Sequence, residues 1–193
     1  MIDAEQIRTL FGDLLDEIGD EELREKVVET WLLGCREGGW EETEALRAMP
    51  FTLLTDCRGI GFVEHTLAVT RGALGLLAAQ TDSYDALPYP VDRDRLIAGG
   101  LLHDVGKLLE IEQDGSGGYR KSHHGRCARH PISGMALAAR IGLPLEIQNI
   151  IACHAKEGEG RPRVLETILI HQADFATFDP LTMLAAGTLI IGE

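Results

Sequence analysis

A run of small and apolar residues, Leu96-Ile97-Ala98-Gly99-Gly100-Leu101-Leu102, leads straight into His103-Asp104-Val105-Gly106-Lys107. An imidazole and a carboxylate set side by side behind an apolar run are costly to bury unless something compensates the charge. A bound metal ion is the usual compensation, and imidazole with carboxylate suits Mn, Fe, Zn, Ni or Mg to different degrees. The plain alternative is a helix end at which Asp104 caps and His103 packs. The dipeptide alone leaves both open, so the rest of the chain has to decide.

Around that stretch the pattern is helical. Ile7, Leu10, Phe11, Leu14, Leu15 and Ile18 recur at the three-and-four spacing of one helical face over residues 3–18. Asp3 is placed to cap that helix, Gln6 to complete a capping box and Gly19 to stop it. Asp20 starts a second helix that Gly38-Gly39 ends, and Glu41 to Met49 reads as a short third. Residues 1–49 offer no ligand chemistry and read as a helical packing extension to a second unit, residues 50–193. In that unit Pro50 breaks the chain. Thr55 to Gly61 is a loop leading into a helix from Phe62 to Gln80, with His65 in its first turn. Gly72 and Gly75 would each cost this helix about 1 kcal/mol relative to Ala, so close approach of another helix is expected at both.

Thr81 to Pro90 reads as a surface loop, and Asp92 caps a helix running to His103. Glu112 to Arg126, glycine-bearing and aperiodic, reads as a long mobile loop with His123-His124 exposed on it. Further helices follow from Arg129 to Ile141, with Pro131 in the first turn and Gly142 at the end, from Pro144 to His154, and from Arg163 to Phe175. Asp179-Pro180 is expected to start a last short helix, and Leu189 to Glu193 to dock as an apolar end on the core. No segment alternates apolar and polar residues for long, so the fold class is all-α.

His65, His103 with Asp104, His130, His154 and Asp174 each lie near a helix end or on a helix that is otherwise apolar. That is what a metal site in a helical bundle requires, with ligands projecting inward from facing helices. A net charge of −13 argues against non-specific binding to a nucleic acid polymer or an anionic membrane. It leaves room for a small phosphorylated substrate, because bound metal reverses the local sign. No apolar run is long enough to span a bilayer. Cys35, Cys57, Cys127 and Cys153 show no paired spacing and read as free thiols of a reducing cytoplasm, and the N-terminus lacks the pattern of a signal peptide.

The order H…HD…H…H…D, with the HD pair inside Leu101-Leu102-His103-Asp104-Val105-Gly106-Lys107, resembles the HD-domain superfamily of metal-dependent phosphohydrolases. His130-Pro131-x-x-Gly134 and Ala173-Asp174 resemble later segments of that family's ligand set, and the likeness covers roughly residues 55–180. The resemblance implies an HD-type helical bundle in which His65, His103, Asp104 and Asp174 bind one divalent metal (Mn, Fe, Ni, Co, Zn or Mg). Asp104 would bridge to a second ion held by His130 and His154. The reaction implied is hydrolysis of a nucleotide or other small phosphorylated compound by a metal-activated hydroxide, with Lys107 against a phosphate oxygen. Lys107 read without the resemblance is a solvated lysine or an ion pair with Asp104.

The segment from His154 to Pro162 has one histidine, and Arg161 where HD-GYP cyclic-di-GMP phosphodiesterases carry tyrosine. The layout is closer to small stand-alone HD hydrolases, including a type that cleaves dinucleoside tetraphosphates symmetrically. Arg58 and Arg161 are candidate phosphate contacts, as are His123, His124 and Arg126. His171, one turn before Asp174, is expected either to line the pocket or to hold a ligand from behind. Two other readings share the ligands: an HD-type di-iron oxygenase, and a metal-binding signalling module without turnover. A homodimer is compatible with all three.

Overall fold

The computed structural model describes residues 1–192; Glu193 lies outside them. The elements run α1 Ala4–Asp16, α2 Glu21–Gly38, α3 Thr43–Ala48, α4 Phe62–Ser83, α5 Arg93–Leu102 and α6 Lys107–Glu110, then the strands β1 Ile111–Gln113 and β2 Tyr119–Lys121. After them come α7 His123–Cys127, α8 His130–Ile141, α9 Leu145–Cys153 and α10 Leu165–Ala186. Among the described residues the fold is all-α apart from one antiparallel hairpin, in which Glu112 faces Arg120. Helix starts follow their caps: Asp3, Asp20 and Asp92 each accept a main-chain N–H three residues on, and Asp3 with Gln6 closes the capping box. Gly39 and Gly142 end α2 and α8 in the left-handed conformation that glycine adopts without strain.

α5 is the buried axle, with every residue from Leu96 to Leu102 buried. α4 and α10 pack on each other and on α5, while α8 and α9 pair and α9 closes on α5. Glycines set two of these approaches: a Cβ on Gly72 would stand 3.2 Å from that of Ala173 on α10, and one on Gly99 would meet Ile150 of α9 at 2.5 Å. α1 and α2 feed the same core. Phe11, Trp31 and Phe62 pack in sequence with tilted rings, at 4.7 and 5.4 Å between centroids, and Trp31 donates its indole N–H to the buried Leu101 carbonyl at 3.0 Å. Trp40 does the same to Leu108 at 2.8 Å, so the extension braces both sides of the His-Asp stretch.

Several sequence expectations are corrected. Gly75 has nothing within 4 Å of where its Cβ would lie, so no helix approaches there. Residues 111–121 form the hairpin rather than a mobile loop, its turn pinned by Asp114, whose carboxylate accepts from Ser116 and Gly118. His123, His124 and Arg126 then stand on α7, capped by Ser122. α1 contains a kink at Gly12 (φ 41°), and Gly19 lies beyond its cap, Glu17. α10 runs on through Pro180, because both Pro180 and Ala176, whose carbonyl loses its partner, face solvent. The end does not dock: Ile190 is 97% and Ile191 67% exposed. Among the described residues no helix is long and apolar enough to cross a membrane.

Candidate metal centre

The last turn of α5 places His103 at its C-cap, and α9 places His154 in the same way. Each donates Nδ1–H to the carbonyl three residues back, Gly100 at 2.6 Å and Ile151 at 2.8 Å. Those carbonyls have no partner within their helices, so one hydrogen bond both caps the helix and aims Nε2 into the interior. His65, in the first turn of α4, meets the Thr177 hydroxyl through Nδ1 at 3.2 Å. That hydroxyl gives its own proton to the Asp174 carbonyl at 2.8 Å and therefore accepts from His65. His130, the first residue of α8, donates Nδ1–H (3.0 Å) and its main-chain N–H (2.6 Å) to one oxygen of Glu110.

With Nδ1 protonated in all four rings, every Nε2 is a bare lone pair. All four converge on Asp104. Its Oδ2 lies 3.3 Å from Nε2 of both His65 and His103; its Oδ1 lies 3.2 Å from that of His130 and 3.5 Å from that of His154. Asp174 adds an oxygen 3.2 Å from His65 Nε2. Nε2 of His65, His103 and His154, together with Asp104 Oδ1, are buried without a hydrogen-bond partner. Acceptors facing acceptors in a dry interior repel unless a cation lies between them. Ligand atoms about 2.0–2.2 Å from a common divalent ion stand ~3.0–3.5 Å apart, the spacing found here. The donor set thus fits divalent metal, falling into two groups that share Asp104: His65 and His103 on one oxygen, His130 and His154 on the other.

Electrostatics agree with that fit. Burial alone would push the Asp104 carboxyl up; the Lys107 ammonium, 2.5 Å from Oδ2, together with His103 and His130 outweighs it and holds Asp104 well below the carboxylate range. Burial pushes His130 down to about 4, which keeps its ring neutral. Burial would raise Glu110 as well, but the hydrogen bonds from His130 draw it down to about 2. Lys107 stands over the Phe51 ring, 5.6 Å from its centroid. The short contact to Asp104 is the ion pair that Lys107, read without the family resemblance, allows as the alternative to a solvated lysine.

Gly106 explains how α8 reaches the site. A Cβ there would lie 2.1 Å from the His130 carbonyl oxygen and 2.6 Å from Gly134 N, so only glycine admits the start of α8 against the His-Asp turn. A cavity of about 600 Å³ opens above the cluster, and Asp104, His130 and Asp174 reach into it beside Lys107.

The structure therefore gathers His65, His103, Asp104, Lys107, His130, His154 and Asp174. It does not bring Arg58 or Arg161 to that cavity. Arg58 (φ 53°) is exposed, pairs with Asp56 at 3.2 Å and borders a separate depression beside Tyr119. Arg161 sits on the exposed turn after Gly160. His171 lies behind the site: its Nδ1 donates to the His154 carbonyl at 2.5 Å and its ring packs on Phe175. His124 bonds Ser133, and His123 lies beside Cys127. Glu110 and Thr177 were not anticipated. The only local sign of Glu110 was an acidic residue one turn after Lys107; its partner His130 is 20 positions away.

Comparison with known proteins places this geometry in context. The chain is 29% identical over 172 residues, 84% of its length, to the dihydroneopterin 2′,3′-cyclic phosphate phosphodiesterase of Methanocaldococcus jannaschii, and covers 66% of that protein. It is 34% identical over 91 residues to ribonuclease Y of Thermotoga petrophila, covering 47% of this chain and 15% of that one. With ribonuclease Y of Acidothermus cellulolyticus it shares 30% over 116 residues, 60% of this chain and 19% of that one. No solved structure matches. The family model described as HD domain matches residues 62–176, from the start of α4 to just past Asp174, and so spans the whole ligand cluster. By that match the chain belongs to the HD domain family.

Proposed function

We propose that this protein is a metal-dependent phosphohydrolase acting on a nucleotide or other small phosphorylated compound, phosphodiesters included. The observation that carries the reading is Asp104: each of its two oxygens faces its own pair of histidine lone pairs in a buried, otherwise unpartnered cluster. We assign His65, His103, Asp104 and Asp174 to one ion and Asp104, His130 and His154 to a second. When bound, such a pair of cations acidifies a water near neutral pH and neutralises the phosphoryl oxygens of an in-line displacement.

The chain's own groups do the rest. Gly100, Ile151, Thr177 and Glu110 hold the four imidazoles in the tautomer that presents Nε2. Lys107, freed from Asp104 once that carboxylate is otherwise engaged, offers a compact ammonium to a non-bridging phosphate oxygen. The similarity to a cyclic phosphate phosphodiesterase supports including cyclic phosphodiesters among the substrates. A small phosphorylated partner also suits a chain of net charge −13 better than a long polyanion does.

The test is a panel of phosphomonoesters, linear diesters, 2′,3′-cyclic phosphates and phosphoanhydrides, offered to metal-stripped protein reloaded with Mn, Fe, Ni, Co, Mg or Zn. Turnover that returns with metal and is absent from Asp104→Ala supports the assignment. A reloaded protein inert on every class would leave a binding module instead.

A further inference from the structure

Between α3 and α4 the chain leaves the core at Pro50 and returns to it at Gly61. The two ends meet in a backbone bridge, and Phe62 donates its N–H to the Met49 carbonyl at 2.8 Å. A Cβ on Gly61 would lie 2.1 Å from the Arg47 carbonyl oxygen, so this base is pinned as well as closed. Phe51, buried and stacked on His65 at 4.1 Å between ring centroids, anchors the way out. Residues 52–60 are tied to themselves instead. Leu54 N–H donates to the Thr52 hydroxyl, the Cys57 thiol to the Thr52 carbonyl, Arg58 N–H to the Asp56 carboxylate and Ile60 N–H to the Cys57 carbonyl. Among the described residues no hydrogen bond or ion pair joins residues 52–60 to the rest of the chain. A compact segment whose ends adjoin and whose own side chains hold it is an Ω-loop. The Thr55 hydroxyl oxygen is buried in it without a partner, which marks packing left incomplete in this arrangement.

Space lies on both sides of the loop. Thr52 and Leu53 line the cavity of about 600 Å³ over the His-Asp cluster and also the depression of about 450 Å³ that Arg58 borders. The loop is therefore a wall one chain thick. Its tip is apolar: Leu53 is 41% and Leu54 79% exposed, and both stand at the cavity. Toward the depression they would meet Arg47, Asp56 and Arg58; toward the cavity they would meet Phe175 and Phe178.

We propose that residues 52–60 are a lid, hinged where they leave the pinned base at Thr52 and Ile60, that swings Leu53 and Leu54 inward over an occupied cavity. Closure buries the two leucines against the ligand and against Phe175 and Phe178. It also shuts water out from around Asp104 and Lys107, which strengthens every charge interaction there. A ligand draws the lid down only through contacts that exist in the closed state alone. Those contacts are made by the body of the ligand beneath the leucines, while its phosphate is held from below in either state. The lid rests on the phosphohydrolase reading for what fills the cavity, and it concerns how the site closes rather than what is cleaved.

Hydrogen exchange read by mass spectrometry on the full chain tests this, with phenylphosphonate, a non-hydrolysable anion with an apolar body, as the probe. Amides of residues 52–60 are expected to exchange faster than those of α4 in stripped and in Mn-loaded protein. With Mn and saturating phenylphosphonate they should slow about 10-fold, the factor for a lid closed roughly nine-tenths of the time. Inorganic phosphate with Mn should slow them far less, because it has no body to meet the leucines. Leu54→Ser, at an exposed position, should melt as the parent does and lose the slowing. On the best panel substrate the same variant should raise KM and lower kcat at unchanged metal content. Equal slowing across the whole chain, a loop that exchanges alike with and without bound phenylphosphonate, or a Leu54→Ser protein with parental kcat and KM overturns the lid and leaves the phosphohydrolase reading standing. Mn-loaded protein that neither binds phenylphosphonate nor turns over any panel substrate overturns both.

Discussion

Gly106→Ala is the sharpest test of how the cluster is assembled. The added methyl would stand 2.1 Å from the His130 carbonyl oxygen and 2.6 Å from Gly134 N, where ordinary contacts begin near 3.4 Å. Both neighbours are main chain, so no side chain can swing aside, and the start of α8 has to recede by about 1 Å. Overpacking of this kind costs about 1–3 kcal/mol, and the upper end applies where backbone must move. For a chain of this size each kcal/mol lowers Tm by roughly 2–4 °C, so the expected fall is about 6–12 °C. The same retreat carries His130 away from Asp104, now 3.2 Å distant. A misplacement of about 1 Å costs on the order of 10²-fold in rate. The assay is thermal melting of stripped protein, followed by calorimetric metal titration and steady-state kinetics on the best panel substrate. Gly75→Ala is the matched control: nothing lies within 4 Å, so it should be neutral or stabilising by up to about 1 kcal/mol. A Gly106→Ala protein that melts within about 2 °C of the parent and binds metal normally would refute the packing argument.

Lys107→Ala should retain its metal content and lose about 10²- to 10³-fold in kcat, with Lys107→Arg failing to restore it; kinetics and elemental analysis on the same samples decide this. Glu110→Gln should weaken the His130–His154 ion about 10- to 100-fold while sparing the other, as read by calorimetry. Because Glu110 falls from an ordinary 4.5 to about 2 on folding, it contributes stability above pH 4.5 that is lost as pH drops toward 2; acid melts of stripped Glu110→Gln should lack that component. Trp40→Phe leaves the buried Leu108 carbonyl without its 2.8 Å donor and should cost about 1–3 kcal/mol in denaturant unfolding.

Much of the candidate site was legible because histidine and aspartate are uncommon on buried helical faces. His65, His103, Asp104, His130, His154 and Asp174 stood out as polar exceptions on apolar faces, and Asp3, Asp20 and Asp92 announced helix starts through local cap chemistry. What escaped depends on distant or weak signals. Glu110 matters only because it meets His130 across 20 residues, and Thr177 only because it meets His65 across 112. Strands of three residues are too short to show a period of two, so the hairpin at Ile111 to Lys121 read as loop. Pro180 looked like a helix start because sequence does not say that Ala176 faces water, which removes most of the penalty for continuing. Gly72 and Gly75 look alike in sequence, and only the placement of α10 gives one of them a packing role.

The most direct test of the central claim is metal stoichiometry against activity. Chelator-stripped protein is titrated with Mn while bound metal and hydrolysis of the best panel substrate are followed together. The account predicts two ions per chain at saturation and turnover that appears only as they bind. It also predicts one ion in His130→Ala and His154→Ala, and loss of both metal and activity in Asp104→Ala. Full activity in stripped protein, or an Asp104→Ala variant that keeps its metal and its rate, would contradict the account.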